Sequence, residues 1–272
     1  ILVTGGLGYI GSHTVVELLN NNFEVVIIDD LSNTEKFILK NIEEISGKKP
    51  IFYPFDLKRK ELLKQVFDAH KIEGCIHFAA YKAVGESQEK PIDYYENNLF
   101  SLINLLQEMK ERNISNFIFS SSCTVYGQAD TMPIDENTPL KLPESSYGKT
   151  KQMGEEILKD FATAHQKKVT LLRYFNPIGA HPSAKLGELP IGIPNNLVPY
   201  VMQTAAGVRE KLSVWGNDYE TEDGTAIRDY IYVVDLAKAH VKALQKLISE
   251  NSETLVDIYN LGTGKGSSVL EV

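Results

Sequence analysis

The chain opens with the run ILVTGGLGYIGSHTVVELL, which joins a short apolar strand, a glycine-rich turn and an apolar helix. The turn fits both Gly6-x-Gly8-x-x-Gly11 and the variant Thr4-Gly5-x-x-Gly8-x-x-Gly11. Glycines make such a turn tight, let its backbone approach a ligand and let the helix pack near the strand. A phosphate at the helix N-terminus meets free N–H groups and the positive end of the helix dipole. The pattern therefore predicts an α/β sheet that binds the diphosphate of a dinucleotide.

Short apolar runs alternate with helical patterns after this turn, as they do in a doubly wound sheet. The predicted strands are Ile1–Thr4, Glu24–Asp29, Ile51–Phe55, Cys75–Ala79, Asn116–Ser121 and Val169–Tyr174. The predicted helices are Ser12–Asn21, Phe37–Ile45, Lys60–His70, Asp93–Arg112 and Tyr147–Thr163. The strands are apolar almost throughout, which is typical of parallel strands buried on both faces. We therefore predict an α/β fold with a doubly wound, mostly parallel Rossmann sheet over residues 1–175.

The pattern changes after Tyr174. Residues 176–196 are rich in proline and glycine without periodicity, so we expect a long ordered loop, a type that is usually functional. We then predict a helix at Leu197–Ala206, a strand at Lys211–Val214, and a strand that runs into a helix within DYIYVVDLAKAHVKALQKLI. Residues 176–272 are expected to form a smaller substrate-binding region, of which residues 230–248 pack back on the first domain. Because the chain starts inside a strand and stops where GSSVLEV predicts a new helix, we expect a longer protein and an incomplete second region.

Composition argues against several classes of protein. The net charge is −8 without a basic run, which disfavours nucleic acid or an anionic membrane as the main partner. No apolar stretch is long enough to span a bilayer. The only cysteines, Cys75 and Cys123, are expected to be free thiols of a cytoplasmic protein. The six histidines lack metal-ligand spacing, so we expect no metal site.

Acidic residues follow the second and third predicted strands. Asp29 or Asp30 lies at the distance from Gly11 at which an acid binds an adenosine ribose, and the sequence does not choose between them. A carboxylate there repels a 2′-phosphate, so NAD is favoured over NADP. Asp56 closes the third strand and is placed to reach the adenine, although an ordinary strand-end acid explains it equally well.

Tyr147 and Lys151 stand four residues apart in SSYGKTKQMGEE, so both side chains leave one face of a helix. An ammonium beside a phenol lowers the tyrosine pKa from about 10 toward neutrality, which makes the phenol a proton acceptor. A solvated pair on a helix surface is the alternative, but the dinucleotide turn favours a hydride-transfer site. Ser122 and Thr124 end the fifth strand, where ligands bind in open sheets. Ser122 can hydrogen-bond the reacting hydroxyl together with Tyr147, unless these residues simply end a strand.

Seven motifs, in order along essentially the whole chain, resemble the UDP-glucose 4-epimerases. This family, also called UDP-galactose 4-epimerases, belongs to the extended short-chain dehydrogenases/reductases. The motifs are TGGLGYIGSHT, IHFAAYKAVGES, FSSSCTVYG, SYGKTK, LLRYFNPIGAHPS, GIPNNL and TAIRDYIYVVDLA. Within them KAVGES, RYFNPIGAHPS and GIPNNL are the most specific. The resemblance implies tightly bound NAD, a UDP-sugar substrate and a homodimer.

The resemblance also implies site residues. On the cofactor side they are Gly5, Gly8, Tyr9, Ile10 and Gly11 at the pyrophosphate, Asp29, Asp30, Leu31, Ser32, Asn33 and Thr34 around the adenosine ribose, Asp56 and Leu57 at the adenine, and Phe78, Ala79, Ala80, Tyr81, Lys82, Asn97 and Phe175 along the rest of the cofactor. On the substrate side they are Asn176, Asn196, Leu197 and Arg228, with Trp215 near the uracil. A guanidinium can bind a diphosphate bidentately, which suits Arg228; a structural ion pair with Asp229 is the alternative.

The expected reaction is the NAD-dependent interconversion of UDP-galactose and UDP-glucose by oxidation at C4, rotation of the 4-keto sugar and re-reduction. Epimerases of UDP-N-acetylhexosamines, pentoses or uronates are close alternatives, because pocket volume decides among them. A nucleotide-sugar 4,6-dehydratase needs an acid after the serine, and Ser122-Cys123-Thr124 offers none. A non-catalytic NAD(H)-binding regulator would be favoured by loss of Tyr147 or Lys151, and both are present.

Overall fold

The structure, a computed structural model, describes residues 1–249 and 254–272. Strands in this part of the chain are β1 Leu2–Thr4, β2 Val26–Ile28, β3 Ile51–Tyr53, β4 Gly74–His77, β5 Asn116–Ser122, β6 Lys168–Tyr174, β7 Asn176–Ile178, β8 Ile227–Tyr232, β9 Val256–Leu261 and β10 Gly266–Ser268. The larger sheet has seven parallel strands in the order β3-β2-β1-β4-β5-β6-β9. The predicted doubly wound, mostly parallel sheet is confirmed.

Helices cover both faces of this sheet. They are α1 Tyr9–Asn20, α2 Phe37–Ser46, α3 Lys60–Ala69, α4 Val84–Glu89, α5 Pro91–Tyr95, α6 Ser101–Glu111, α7 Ser146–His165, α8 Leu197–Ala205 and α9 Val233–Ser249. Side chains of a strand alternate between the two faces, so Leu2 joins a core with α3, α6 and α7, while Val3 joins a core with α1, α2 and α9. No helix in these described ranges is both long and apolar enough to cross a membrane.

The structure contains a second, smaller sheet, and three predictions for residues 176–272 differ from what is observed there. In it β8 pairs in parallel with β7 and antiparallel with β10. Residues 176–178 are therefore a strand within the predicted loop, and the helix expected in GSSVLEV is replaced by β10. The predicted strand Lys211–Val214 is wrong, because these residues are not part of either sheet. Leu212 and Val214, which would share one face of such a strand, are 38% and 44% exposed, so no sheet face buries them.

The fourth predicted helix, Asp93–Arg112, is interrupted. It consists of α5, a π-helical turn at Glu96–Phe100 and then α6. The helix α4 and the strand β9 are not predicted from the sequence. Strand β9 pairs with β6 from Val169↔Val256 to Tyr174↔Leu261. The chain thus returns to the edge of the first sheet after building most of the smaller one.

A buried ion pair joins α7 to the sheet two turns beyond Tyr147. The Arg173 guanidinium donates from Nε and Nη2 to the two carboxylate oxygens of Glu155, at 2.9 and 2.6 Å, and both side chains are essentially inaccessible to solvent. Ser121 also donates to Glu155, at 2.5 Å, and Arg173 Nη1 donates to the Tyr126 hydroxyl at 2.9 Å. The pair therefore fixes α7 against β5 and β6 at the end of the sheet that carries Ser122.

We expect Arg173→Leu to lower the free energy of unfolding by about 3–5 kcal/mol, because it leaves the Glu155 carboxylate buried without its partner. Urea unfolding measures this difference. The matched control is Glu73→Gln, which breaks the solvent-exposed Lys71–Glu73 pair (3.4 Å) and should cost about 0–1 kcal/mol. Equal losses in the two variants would contradict the prediction.

Candidate active site

The glycine turn between β1 and α1 leaves no room for side chains. Gly5 has φ +67°, and a Cβ built there would lie 2.7 Å from the Ala79 backbone nitrogen. A Cβ on Gly11 would lie 2.1 Å from the Gly5 carbonyl oxygen. Gly8 immediately precedes α1, so the first N–H groups of that helix face the turn without intrahelical partners. This arrangement suits the diphosphate of a dinucleotide.

The two acids after β2 have different surroundings. The Asp29 carboxylate accepts hydrogen bonds from the backbone N–H groups of Leu7 and Leu31, both at 3.0 Å. Burial raises the pKa of Asp29 although these bonds act against the rise. Asp30 is exposed and accepts from the Ser32 backbone N–H at 2.9 Å and from the Ser32 hydroxyl at 2.6 Å. Asp29 therefore braces the glycine turn, while Asp30 lies at the rim.

A cleft with a volume of about 860 Å³ runs along the carboxyl ends of the parallel strands. Most of the residues predicted for the cofactor line it: Gly5, Gly8, Tyr9, Ile10, Gly11, Asp29, Asp30, Ser32, Asn33, Thr34, Asp56, Leu57, Phe78, Ala79, Ala80, Tyr81, Lys82, Asn97, Tyr147 and Lys151. Asn196 is the predicted substrate residue besides Tyr147 that lines it. The glycine turn and the Tyr147–Lys151 pair therefore line one cleft.

Helix α7 presents the pair to this cleft. The helix starts where the Ser145 hydroxyl accepts a hydrogen bond from the Gly148 N–H at 3.1 Å, which caps its first turn. Lys151 is 4% exposed, and its Nζ donates to the Ser120 carbonyl at 2.7 Å. The same Nζ lies 5.8 Å from the centre of the Tyr147 ring. Half-buried Tyr147 and buried Lys151 are thus neighbours, and the burial of Lys151 excludes the alternative of a solvated pair on a helix surface.

The expectation that Lys151 sets the pKa of Tyr147 is wrong. Burial is the largest influence and raises the pKa of Tyr147 to about 12, while a side-chain hydrogen bond with Ser122 acts in the opposite direction. Burial also disfavours the charged form of Lys151 and lowers its pKa to about 7. The Lys151 amino group donates to the Ser120 carbonyl, and the influences on the Tyr147 pKa besides burial come from Ser122 and Cys123.

The lowered pKa of Lys151 predicts a pH dependence of stability. Between about pH 7 and the ordinary lysine pKa of about 10.4, the unfolded chain binds more protons than the folded one, so this group adds stability as pH rises. The slope is at most about 1.4 kcal/mol per pH unit. We expect Lys151→Met to remove this rise, and urea unfolding of both proteins with cofactor bound, at pH 7.5 and 9.5, measures it. Parallel pH profiles for the two proteins would contradict the prediction.

Several predicted residues lie outside the lining of the cleft: Leu31, Ser122, Thr124, Phe175, Asn176, Leu197, Trp215 and Arg228. Ser122 nevertheless lies near enough to Tyr147 to act against the rise in its pKa, and its hydroxyl accepts a hydrogen bond from the Thr124 hydroxyl at 3.0 Å. Trp215 is 86% exposed, so it is neither a core residue nor part of this cleft. Phe175 lies against Gly262.

Arg228 lies at the beginning of β8, and its charge acts on Cys123, which follows β5. Burial raises the pKa of Cys123 to about 11, and the positive charge of Arg228 is the main opposing influence. The Asp229 carboxylate accepts from the backbone N–H groups of Thr263 and Gly264, at 2.9 and 2.8 Å. The alternative ion pair between Arg228 and Asp229 is not among the salt bridges of residues 1–249 and 254–272. The exposed guanidinium donates from Nη1 to the Ile227 carbonyl at 2.7 Å.

Sequence reasoning missed part of the wall opposite the sheet. The segment 187–196 contributes Glu188, whose Oε1 accepts from Asn196 at 2.7 Å and lies 3.5 Å from Lys82 Nζ. Tyr94 and Tyr174 also line the cleft. The proline- and glycine-rich composition predicts a functional loop at 176–196, but it does not indicate which side chains face the cleft. In the described ranges no group of three or more His, Cys, Asp or Glu side chains is arranged to hold a metal ion.

Comparisons with known proteins agree with this geometry. The chain matches the NAD dependent epimerase/dehydratase family over residues 1–262. It is 55% identical over 273 residues to the UDP-glucose 4-epimerase of Bacillus subtilis (strain 168), covering 100% of this chain and 79% of the relative.

Solved structures give the same result. The crystal structure of UDP-glucose 4-epimerase from Bifidobacterium longum in complex with NAD+ and UDP has a TM-score of 0.94 and 48% identity, over 99% of this chain and 80% of that one. The UDP-Glc/GlcNAc 4-epimerase of Campylobacter jejuni has a TM-score of 0.84 and 37% identity, over 99% and 80% of the two chains. The chain therefore belongs to the NAD dependent epimerase/dehydratase family, among its UDP-glucose 4-epimerases.

Proposed function

We propose that the chain interconverts UDP-galactose and UDP-glucose with bound NAD, and that Tyr147 is the group that moves the proton. The observation that carries this proposal is that half-buried Tyr147 and buried Lys151 lie side by side in the wall of the same cleft as the glycine turn. A dinucleotide with its diphosphate at Gly8–Gly11 would extend along the cleft toward Tyr147. The close packing of Gly11 on the Gly5 backbone, which a single Cβ would disrupt, keeps the N-terminus of α1 against the turn and fits such a cofactor.

Each residue of the site has a separate task in this proposal. Bound NAD supplies a hydride acceptor and, while oxidised, a positive charge that lowers the pKa of a nearby phenol. The Tyr147 oxygen accepts the proton of the sugar 4-hydroxyl and returns it after the sugar has turned. Ser122 lowers the Tyr147 pKa by its hydrogen bond and orients the same hydroxyl. Lys151, held by the Ser120 carbonyl, keeps a hydrogen-bond donor at the ribose side of the cleft.

The substrate side is assigned to residues 176–272 and the cofactor to residues 1–175, while α9 and β9 of the second range pack on the first sheet and complete its edge. Arg228 supports this division, because its charge reaches Cys123 and hence the neighbourhood of Ser122. A guanidinium at that place binds the UDP diphosphate, so the nucleotide stays anchored while the 4-keto sugar rotates. Asn176, Asn196 and Leu197 contribute further contacts to the UDP-sugar in this proposal. Binding energy is thereby used away from the carbon that reacts.

A direct assay tests the function. The protein is incubated separately with UDP-galactose and with UDP-N-acetylgalactosamine, and the sugars are separated after digestion. We expect UDP-glucose to form from the first substrate without added NAD, because the cofactor stays bound through each turnover. Epimerisation of the second substrate alone would favour the N-acetylhexosamine reaction, which the Campylobacter jejuni neighbour makes a specific second candidate. Loss of water with formation of a 6-deoxy sugar would contradict both.

We also infer a cytoplasmic homodimer. Helix α6 buries Leu102, Leu105 and Met109 in the core, yet Ile103 on its other side is 37% exposed. Met153 of α7 is 45% exposed and lines a groove with Leu99 and Ile157. A second copy would cover these apolar side chains. Sedimentation at micromolar concentration tests the assembly, and a mass of one chain would contradict it.

A further inference from the structure

The π-helical turn at Glu96–Phe100 buries two consecutive asparagines. Asn97 and Asn98 are 8% and 6% exposed, although adjacent residues of a regular α-helix point about 100° apart. Turns of this kind inside helices occur frequently at functional sites. Asn97 lines the cofactor cleft, whereas Asn98 lies behind it. The turn therefore buries a second polar side chain, that of Asn98, and the proposed reaction gives this residue no role.

All the hydrogen-bonding groups of the Asn98 amide are engaged. Its Oδ1 accepts from the Tyr81 backbone N–H at 2.8 Å and from Asn97 Nδ2 at 3.1 Å. Its Nδ2 donates to the Tyr81 carbonyl at 3.1 Å and to the Thr150 hydroxyl at 2.9 Å. Asn98 thus grips both backbone groups of Tyr81, in the strand-end loop that lines the cleft, and at the same time reaches α7.

Thr150 continues this connection to the reacting residue. Its side chain is 2% exposed, and its hydroxyl accepts the bond from Asn98 while donating to the Tyr147 carbonyl at 2.8 Å. A hydroxyl has one proton to donate, so its direction is fixed by these two partners. The path runs from the Tyr81 backbone through Asn98 and Thr150 to the backbone of Tyr147. It joins the wall that faces the cofactor to the residue that moves the proton.

We propose that Asn98 and Thr150 are positioning residues that set the distance between Tyr147 and the cofactor wall at residues 79–82. This inference rests on the proposed role of Tyr147. Proton and hydride transfer require close contact, and a misplacement of about 1 Å in such a site can cost about a hundredfold in rate. Loss of one link should let α7 and the wall move relative to each other without opening the fold, because the Glu155–Arg173 pair still holds the helix.

The test uses three substitutions in the protein with its bound NAD. Thr150→Val keeps the shape but removes the hydroxyl, so it should lower kcat about tenfold with KM and NAD content unchanged. Thr150→Ser keeps the hydroxyl and should stay within about twofold of the parent. Thr163→Val is the matched control, since the Thr163 hydroxyl donates only to Lys159 of the same helix, at 2.9 Å; it should leave kcat unchanged. Hydrogen exchange of the peptide covering 145–152 should accelerate in Thr150→Val and in neither of the others.

Two results would overturn the inference: a Thr150→Val protein with the parent's kcat and exchange, or a Thr150→Ser protein that loses as much as Thr150→Val. If Thr150→Val does not fold, the comparison of Thr150→Ala with Thr150→Ser decides, and equal kcat values overturn the inference. A parent protein that epimerises UDP-galactose while these variants behave alike refutes the positioning role alone. A parent protein without epimerase activity refutes the proposed function instead.

Discussion

Tyr147→Phe is expected to lower turnover of UDP-galactose by about 10²–10⁴-fold, the range that a positioned proton-transfer group contributes. The substitution removes only the phenolic oxygen, and the ring keeps its half-buried place in the wall of the cleft. The fold and the glycine turn are untouched, so the purified variant should retain NAD. Steady-state kinetics and the absorbance of released cofactor measure the two quantities.

The matched control is Tyr53→Phe. Tyr53 lies on β3, is partly buried and donates or accepts a hydrogen bond with His70 Nε2 at 2.8 Å. Tyr53→Phe also removes a phenolic oxygen, but this one lies outside the lining of the cleft. Turnover should therefore match that of the parent. A Tyr147→Phe protein with nearly full activity would remove the proton acceptor from the proposed mechanism. A variant that purifies without NAD would show instead that the hydroxyl holds the cofactor.

Gly11→Ala should abolish NAD binding. The added Cβ would lie 2.1 Å from the Gly5 carbonyl oxygen and 2.9 Å from Gly6 Cα, and both neighbours are backbone atoms that cannot rotate away. The turn must therefore open, which displaces the N–H groups that face the diphosphate. Overpacking of this kind typically costs about 1–3 kcal/mol of stability. We expect a lower thermal midpoint and a cofactor content below about one tenth of the parent's.

Asn20→Ala is the control for this substitution. Asn20 is exposed in the last turn of the same helix, and alanine favours helix formation. Its cofactor content should equal that of the parent. A Gly11→Ala protein with one NAD per chain would show that the turn can rearrange, and it would place the diphosphate elsewhere in the cleft.

The parts of the fold that the sequence predicted are those that depend on local pattern. Each of the strands β1, β2, β5 and β6 is apolar along its length. The long helix α7 likewise keeps a helical pattern from end to end. The glycine turn is recognisable because steric crowding at Gly5 and Gly11 excludes every larger residue. The adjacency of Tyr147 and Lys151 follows from their four-residue spacing, which places two side chains on one face of any helix.

The missed features depend on distant parts of the chain. The run KLSV at 211–214 alternates like a strand, but these residues pair with neither sheet of the described part of the chain. The strand β9 is not predicted because its pairing partner β6 lies more than eighty residues earlier in the chain. The pKa of Tyr147 could not be read from its neighbour four residues away, since burial by the surrounding elements is its largest cause. Local sequence does not report burial of this kind.

The position of β9 has a consequence for how the protein is made. The register from Val169↔Val256 to Tyr174↔Leu261 completes the edge of the cofactor sheet, so a ribosome must release residue 261 before β6 acquires its outer neighbour. Until then a strand that is buried in the finished molecule exposes an unpaired edge. Contacts of such sequence separation slow folding, and a nascent chain paused in the smaller sheet is the stage at which chaperones would engage it.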